Sequence, residues 1–178
     1  MASLRPAIAA DLPRIGAVHV QAWQEAYADI LPRPGLARMT AGRAAAQWHR
    51  LLEPGDMALI VVQEGPRILG FGSAGPQRSP GLRDRGFAGE VSTLYLLREA
   101  QGRGLGRTLL AALAGALRVW GLRGMALWVL EENRPARAFY RHMGGTEIAR
   151  QKDRWGGAVV DELAYGWRDL SALSDATA

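Results

Sequence analysis

The sequence contains no cysteine, and lysine occurs once, as Lys152. Without thiols the chain can form no disulfide and no thiolate metal site, and it has no cysteine to carry an acyl group as an enzyme-bound intermediate. No apolar run approaches the roughly eighteen residues that a membrane-spanning helix needs. The opening Met1-Ala2-Ser3-Leu4-Arg5-Pro6 lacks the apolar core of a secretory signal. The expectation is a cytoplasmic protein with no membrane partner. With lysine nearly absent, the net charge of +5 and the pI near 10.4 are carried by arginine. Arginine in place of lysine, with abundant alanine and glycine, reads as a GC-rich genome's usage. The basic residues are scattered rather than striped, and no array of aromatics interleaved with cations is present to stack bases, so nucleic acid is not an expected partner. His19, His49 and His142 are too widely spaced for a metal-ligand motif, so no metal is expected.

What is present suits one domain over residues 1–178, with its core in 4–169 and a small, polar tail at 171–178 expected to fray. At 178 residues and 48% hydrophobic, such a chain buries roughly two-thirds of its unfolded surface. Leu4 to Ala9 reads as a short strand, and Asp11 as the N-cap, with Pro13 in the first turn, of a helix along Ile15, Val18, Ala22 and Ala26. A second helix is expected over Leu36 to Leu52. Met57–Gln63 and Arg67–Ala74 form a hairpin by their Glu64-Gly65-Pro66 turn. Gly75 to Gly86 is a loop without periodicity, and loops of that length are usually functional or mobile.

The rest of the chain is organised around a strand, a glycine turn and a helix in its middle. Phe87 to Leu97 is strand-like and runs into Gln101-Gly102-Arg103-Gly104-Leu105-Gly106-Arg107, which opens a helix from Gly104 to Trp120 with an apolar stripe of Leu105, Leu109, Leu113, Leu117 and Trp120. Alternate glycines let backbone N–H groups approach an anion, and the helix start adds its positive dipole end, so the turn reads as a pyrophosphate cradle. A dinucleotide fingerprint would need glycine where Arg107 stands and an acidic residue downstream, yet residues 101 to 130 hold no Asp or Glu. A P-loop would need lysine in place of Arg107 and an earlier glycine. Met125 to Leu130 is a continuous apolar run suited to a strand buried on both faces. Asn133 then caps a helix through Phe139, Tyr140 and Met143 that Gly144 and Gly145 stop. Thr146–Gln151 and Ala158–Gly166 read as a final hairpin.

Gln101-Gly102-Arg103-Gly104-Leu105-Gly106 after a Leu94-Tyr95-Leu96 strand resembles the acyl-CoA-binding signature of the GNAT family of N-acetyltransferases. Asn133, Ala136 and Tyr140, at N-x-x-A-x-x-x-Y spacing before a glycine stop, resemble that family's second signature, with Gly145-Thr146 where Gly-Phe is usual. Trp23 and Tyr27, followed by Leu31 and Pro32, resemble the first-helix pattern of one branch. The resemblance covers nearly the whole chain. It implies an α/β layered fold with a mixed, mostly antiparallel seven-stranded sheet and helices on both faces, acetyl-CoA as co-substrate, and direct transfer to a primary amine of a small molecule or a protein. By the same resemblance the cofactor lies on Leu94, Tyr95, Leu96, residues 101–107 and Asn133. Tyr140 is the general acid, Glu90 corresponds to a base found in some members, and Trp23 with Tyr27 lines the acceptor pocket under the Gly75–Gly86 loop. Each has a plainer reading: Tyr140 as a core-edge tyrosine, Glu90 as an exposed carboxylate with a water chain as the base, Trp23 and Tyr27 as core. A non-catalytic acyl-CoA sensor is the alternative function, and retention of Asn133 and Tyr140 speaks for the enzyme. The acceptor's identity, and whether the protein is a homodimer, stay open.

Overall fold

The structure, a computed structural model, describes residues 1–174. Its centre is a seven-stranded sheet in the order β1-β2-β3-β4-β5-β7-β6. The strands are β1 (Ser3–Pro6), β2 (Ala58–Glu64), β3 (Arg67–Pro76), β4 (Gly89–Leu96), β5 (Met125–Leu130), β6 (Thr146–Trp155) and β7 (Ala158–Trp167). Every neighbouring pair is antiparallel except β4 and β5. This is the mixed, mostly antiparallel sheet expected.

Helices α1 (Leu12–Tyr27) and α3 (Ala41–Leu52) cover one face, where Ile15, Val18, Ala22 and Trp48 pack on Leu59, Val61 and Phe71. Helices α5 (Leu105–Val119) and α6 (Arg134–His142) cover the other, where Leu109, Leu113, Leu117, Tyr140 and Met143 pack on Val62, Val91, Leu127 and Tyr165. In β5 the alternation is visible directly. Met125, Leu127 and Val129 join the α5 side, whereas Ala126 joins Leu82 and Phe87 on the α1 side.

Several boundaries differ from the sequence expectation. The Leu36–Leu52 helix is two helices, α2 (Arg33–Ala37) and α3, because Thr40 takes extended dihedrals and accepts a hydrogen bond from Arg43 N, capping α3. Asp11 does not cap α1. Its fully buried carboxylate instead takes two N–H donors from Arg5 (2.6 and 2.9 Å) and one from Arg14 (3.1 Å), and these hold its pKa down at about 2. The Gly75–Gly86 loop is shortened at one end by β3, which continues to Pro76, and in its middle by α4 (Pro80–Arg83), whose Leu82 is buried. β6 continues past Gln151 to Trp155, paired with β7 over its whole length. At the C-terminus, α7 (Ser171–Ser174) is a helical turn with Leu173 buried, where fraying was expected; the rest of that expected tail, 175–178, lies outside the described residues.

Candidate active site

β4 and β5 share only the rungs Gly89↔Met125 and Glu90↔Ala126, and then part. Each keeps its other neighbour throughout, β4 with β3 and β5 with β7, so the two strands enclose a wedge with unpaired edges. Which groups face the wedge depends on register. Leu97 N–H donates to Leu69 O (2.9 Å), and antiparallel pairs alternate, so Thr93 and Tyr95 also bond β3 while Leu94 and Leu96 turn their N–H and C=O groups into the wedge. Of the three strand residues expected to meet the cofactor through their backbone, the geometry therefore places two there. Tyr95 instead sends its ring to the α1 face, stacked on His19 at 5.6 Å.

At the wide end of the wedge the chain turns through Gln101 to Gly104 into α5. Gln101 Nε2 donates to Leu96 O (3.0 Å), tying the turn to the end of β4. Gly102 and Gly104 have φ of 71° and 78°, a region costly for any residue with a Cβ. The first α5 amide with an acceptor is that of Thr108, bonded to Gly104 O, so the N–H groups of Leu105, Gly106 and Arg107 point outward from the helix end. Gly106 differs from Gly102 and Gly104: its φ is not positive, and a Cβ there would meet the Phe139 ring at an ordinary contact distance of 3.4 Å. The two turn arginines also divide. Arg103 reaches back to Glu64 on β2 (2.7 Å), whereas Arg107 is exposed and makes no ion pair among the described residues. An exposed pair such as Arg103–Glu64 is worth about 1 kcal/mol or less, so an anion can compete for either guanidinium. Open amides, a helix start and arginines form a donor set that fits a pyrophosphate.

α6 borders the wedge from the β5 side. Asn133 Oδ1 accepts from Ala136 N (3.2 Å) and caps the helix, with Pro135 in the first turn. Tyr140 is 7% exposed, its ring packed against Phe139, Tyr165 and Trp167. Burial, with a smaller contribution from Tyr27, pushes its pKa well above the ordinary tyrosine value. It therefore stays protonated at neutral pH and is suited to give a proton rather than take one. Burial also pushes Tyr27 up, opposed by hydrogen bonding from Tyr95 and Asn133, so the three tyrosines and Asn133 form one electrostatic neighbourhood.

On the α1 face the wedge is bounded by aromatic rings. Trp23 lies 4.9 Å from Tyr27 and 5.4 Å from Trp155, and its buried Nε1 has no hydrogen-bond partner among the described residues. Beside them runs an open groove of about 480 Å³ lined by residues 28–33, Glu132 and Ala158 to Val160. Glu90, at the narrow end of the wedge, is 6% exposed and grips Arg78. Its carboxylate accepts from Arg78 Nη2 (2.6 Å), Nε (3.1 Å) and N (3.0 Å). Those bonds fasten the chain after β3 to the start of β4.

The family model described as the acetyltransferase (GNAT) family matches residues 20–144. The chain belongs to that family. YuaI of Bacillus subtilis, described as an uncharacterized N-acetyltransferase, is 34% identical over 173 residues, covering 97% of this chain and 96% of YuaI. Among solved structures, an N-acetyltransferase from Staphylococcus aureus superposes with a TM-score of 0.73 at 19% identity, covering 96% of this chain and 99% of that one. A ribosomal-protein-alanine N-acetyltransferase from Brucella melitensis gives 0.72 at 23% identity, covering 93% and 99%. The protein is a GNAT N-acetyltransferase, with acetyl-CoA as its co-substrate.

In this acetyltransferase the sequence-predicted residues fall into three groups. Leu94, Leu96, residues 101–107, Asn133 and Tyr140 line or border the wedge. Trp23 and Tyr27 form the aromatic cluster on its α1 face, joined by His19, one helical turn before Trp23, and by Tyr95 and Trp155, whose places there no sequence pattern marks. Glu90 stands apart, engaged with Arg78. A contact between Ser73, Ser92 and Thr93 is equally silent in the sequence. It depends on a bulge opposite Ser73 and Ala74, and three ordinary polar residues in strand-like runs give no signal for it.

Proposed function

We propose that this enzyme moves the acetyl group directly from acetyl-CoA to the primary amine of a small molecule or a peptide, within a ternary complex and through one catalytic domain spanning residues 1–178. The observation that carries the reading is the wedge. Unpaired N–H groups of Leu94 and Leu96 lead to the glycine turn, with a protonated Tyr140 on the bordering helix. In this reading Gln101, Gly102, Arg103, Gly104, Leu105, Gly106 and Arg107 hold the pyrophosphate, and the backbone of Leu94 and Leu96 holds the pantetheine arm and polarises the thioester carbonyl. Asn133 sets the start of α6 and thereby the position of Tyr140, which protonates the departing thiolate. Trp23 and Tyr27 wall the acceptor side. Glu90 is a less suitable base than its strand position implied, because Arg78 occupies its carboxylate; we read it as an anchor of the wedge's narrow end. A cytoplasmic location suits a chain without cysteine.

The test is a steady-state assay of acetyl-CoA consumption over a panel of amines, on wild type and Tyr140→Phe. Intersecting double-reciprocal lines are expected. A CoA thiol with a pKa near 8.5 can leave unaided, so the hydroxyl's loss should lower kcat by about ten- to a thousandfold, with CoA affinity and melting temperature little changed. Wild-type kcat in a folded, CoA-binding Tyr140→Phe enzyme would return Tyr140 to a structural role. Parallel lines with an isolable acetyl-enzyme would exclude direct transfer.

A further inference from the structure

On the α1 face, where β4 leaves β5, three hydroxyls meet. Ser73 Oγ lies 2.7 Å from Ser92 Oγ and 2.6 Å from Thr93 Oγ1. Thr93 stands opposite Ser73 in the ladder, and Ser92 is the extra residue of the bulge between the Ser73↔Thr93 and Ala74↔Val91 pairs. Ser73 is fully buried, whereas Ser92 and Thr93 are half-buried and carry the group toward solvent.

Ser73 has a single hydroxyl proton and two oxygen partners. If it accepted from both, its own proton would be stranded in a fully buried place, at a cost of about 1–3 kcal/mol. It therefore donates to one partner and accepts from the other. That leaves one of Ser92 and Thr93 with a lone pair turned outward and the other with a proton turned outward. In each contact either oxygen can be the donor, so the two orders interchange by rotation of the three hydroxyls, or by a concerted shift along the chain when one proton enters at one end as another leaves at the other. Glu90, two residues before Ser92 on β4, is not a free base, since its carboxylate already accepts three N–H groups of Arg78.

We propose that Ser92, Ser73 and Thr93 form a hydroxyl relay that conducts the acceptor amine's proton to solvent. The relay presupposes acetyl transfer to an amine at this wedge. As the C–N bond forms and the C–S bond breaks, the bonding pair leaves with the thiolate and the amine nitrogen must shed a proton. The outward lone pair of one terminal hydroxyl takes that proton, passes its own to Ser73, and Ser73 passes its proton to the other terminal hydroxyl. That hydroxyl releases its outward proton to water. Every oxygen ends neutral with one proton, the order of the chain is reversed, and rotation of the three hydroxyls restores it before the next turnover. The terminal hydroxyl that meets the amine is the catalytic residue of this step; Ser73 and the other terminal hydroxyl, which do not reach the amine, are positioning residues.

The experiment is a proton inventory, the single-turnover rate measured with an accepted amine in mixtures of H2O and D2O, for wild type, Ser73→Ala, Thr93→Val and Thr93→Ser. A relay moves several protons together, so the wild-type plot should curve, while Ser73→Ala and Thr93→Val should give straight lines and rates lower by about ten- to a hundredfold, at the lower end of general acid–base effects. Acetyl-CoA affinity should be retained, and Thr93→Ser should recover most of the rate that Thr93→Val loses. Wild-type rate in Ser73→Ala would overturn the relay and leave acetyl transfer standing, and so would a lower rate with the curvature intact. A wild-type protein that binds acetyl-CoA yet acetylates no amine in the panel would overturn both.

Discussion

His19 is a buried imidazole held by rings. Trp48 Nε1 donates to its Nδ1 (3.2 Å), its plane stacks on Tyr95, and only 8% of it is exposed. With Nδ1 as the acceptor, the neutral ring carries its proton on Nε2. Burial lowers its pKa from 6.5 to about 4, so the folded state favours the neutral form. The stability this contributes is fully present above about pH 6.5, where the unfolded histidine is also neutral. It drains away as pH falls from 6.5 toward 4, because the unfolded chain takes up the proton first. A depression from 6.5 to about 4 corresponds to at most about 3 kcal/mol. Urea midpoints measured between pH 7 and pH 4.5 should therefore fall for wild type, and fall much less for His19→Phe whatever that variant's stability at neutral pH. An identical slope in the two proteins would assign the loss to another group. Asp11, held at about 2 by Arg5, adds its own loss only below the ordinary carboxylate range, so the two windows separate. Because His19 also contacts Trp23, acid should loosen the aromatic cluster around Trp23 before it unfolds the domain.

At the scale of elements, the turn into α5 is the most exposed to test. Gly104 has positive φ and nothing within 4 Å of where its Cβ would be, so a substitution there strains the backbone without a steric clash. Gly104→Val should cost about 1–2 kcal/mol or more in that turn, and titration with CoA should show affinity at least about tenfold weaker in a protein that still folds. Unaltered affinity would show that the turn's conformation does not govern anion binding. This element is legible in the sequence because its glycines, its helix stripe and its preceding strand are all local patterns. The break between α2 and α3 is not, because Thr40 is an acceptable helix residue until its hydroxyl finds Arg43 N. Asp11 misleads for a related reason: the competitor for its carboxylate, Arg5, sits on a strand that only the fold brings near. The aromatic cluster on the α1 face is legible only in part. Trp23 and Tyr27 are one helical turn apart and visible together, but Trp155 joins them from the β6 end and Tyr95 from β4, and no sequence spacing reports that. Glu90 is correctly placed on β4 by its strand-like run, yet its partner Arg78 lies in a loop whose sequence has no period.

For the whole molecule, the sheet is continuous in order but not in bonding. The half holding β1 to β4 and the half holding β5 to β7 share the rungs at Gly89 and Glu90 and little else along the sheet. α5, rooted on β2, β3 and β4, and α6 provide much of the cohesion across the wedge. Amide exchange should reveal this seam. Without ligand, Leu94 and Leu96 should exchange faster than Tyr95, whose amide is bonded to β3, and saturating CoA should slow the first two selectively. Equal protection of all three in the free protein would mean that the wedge is closed in solution. The wedge also bears on turnover. In the binding mode proposed above, its backbone groups address the pyrophosphate and pantetheine, portions that acetyl-CoA and free CoA have in common, and the transferred acetyl group contributes little of that grip. On that proposal the spent donor is held about as firmly as the fresh one, free CoA should inhibit in competition with acetyl-CoA, and the ratio of the two should act as the throttle on the rate.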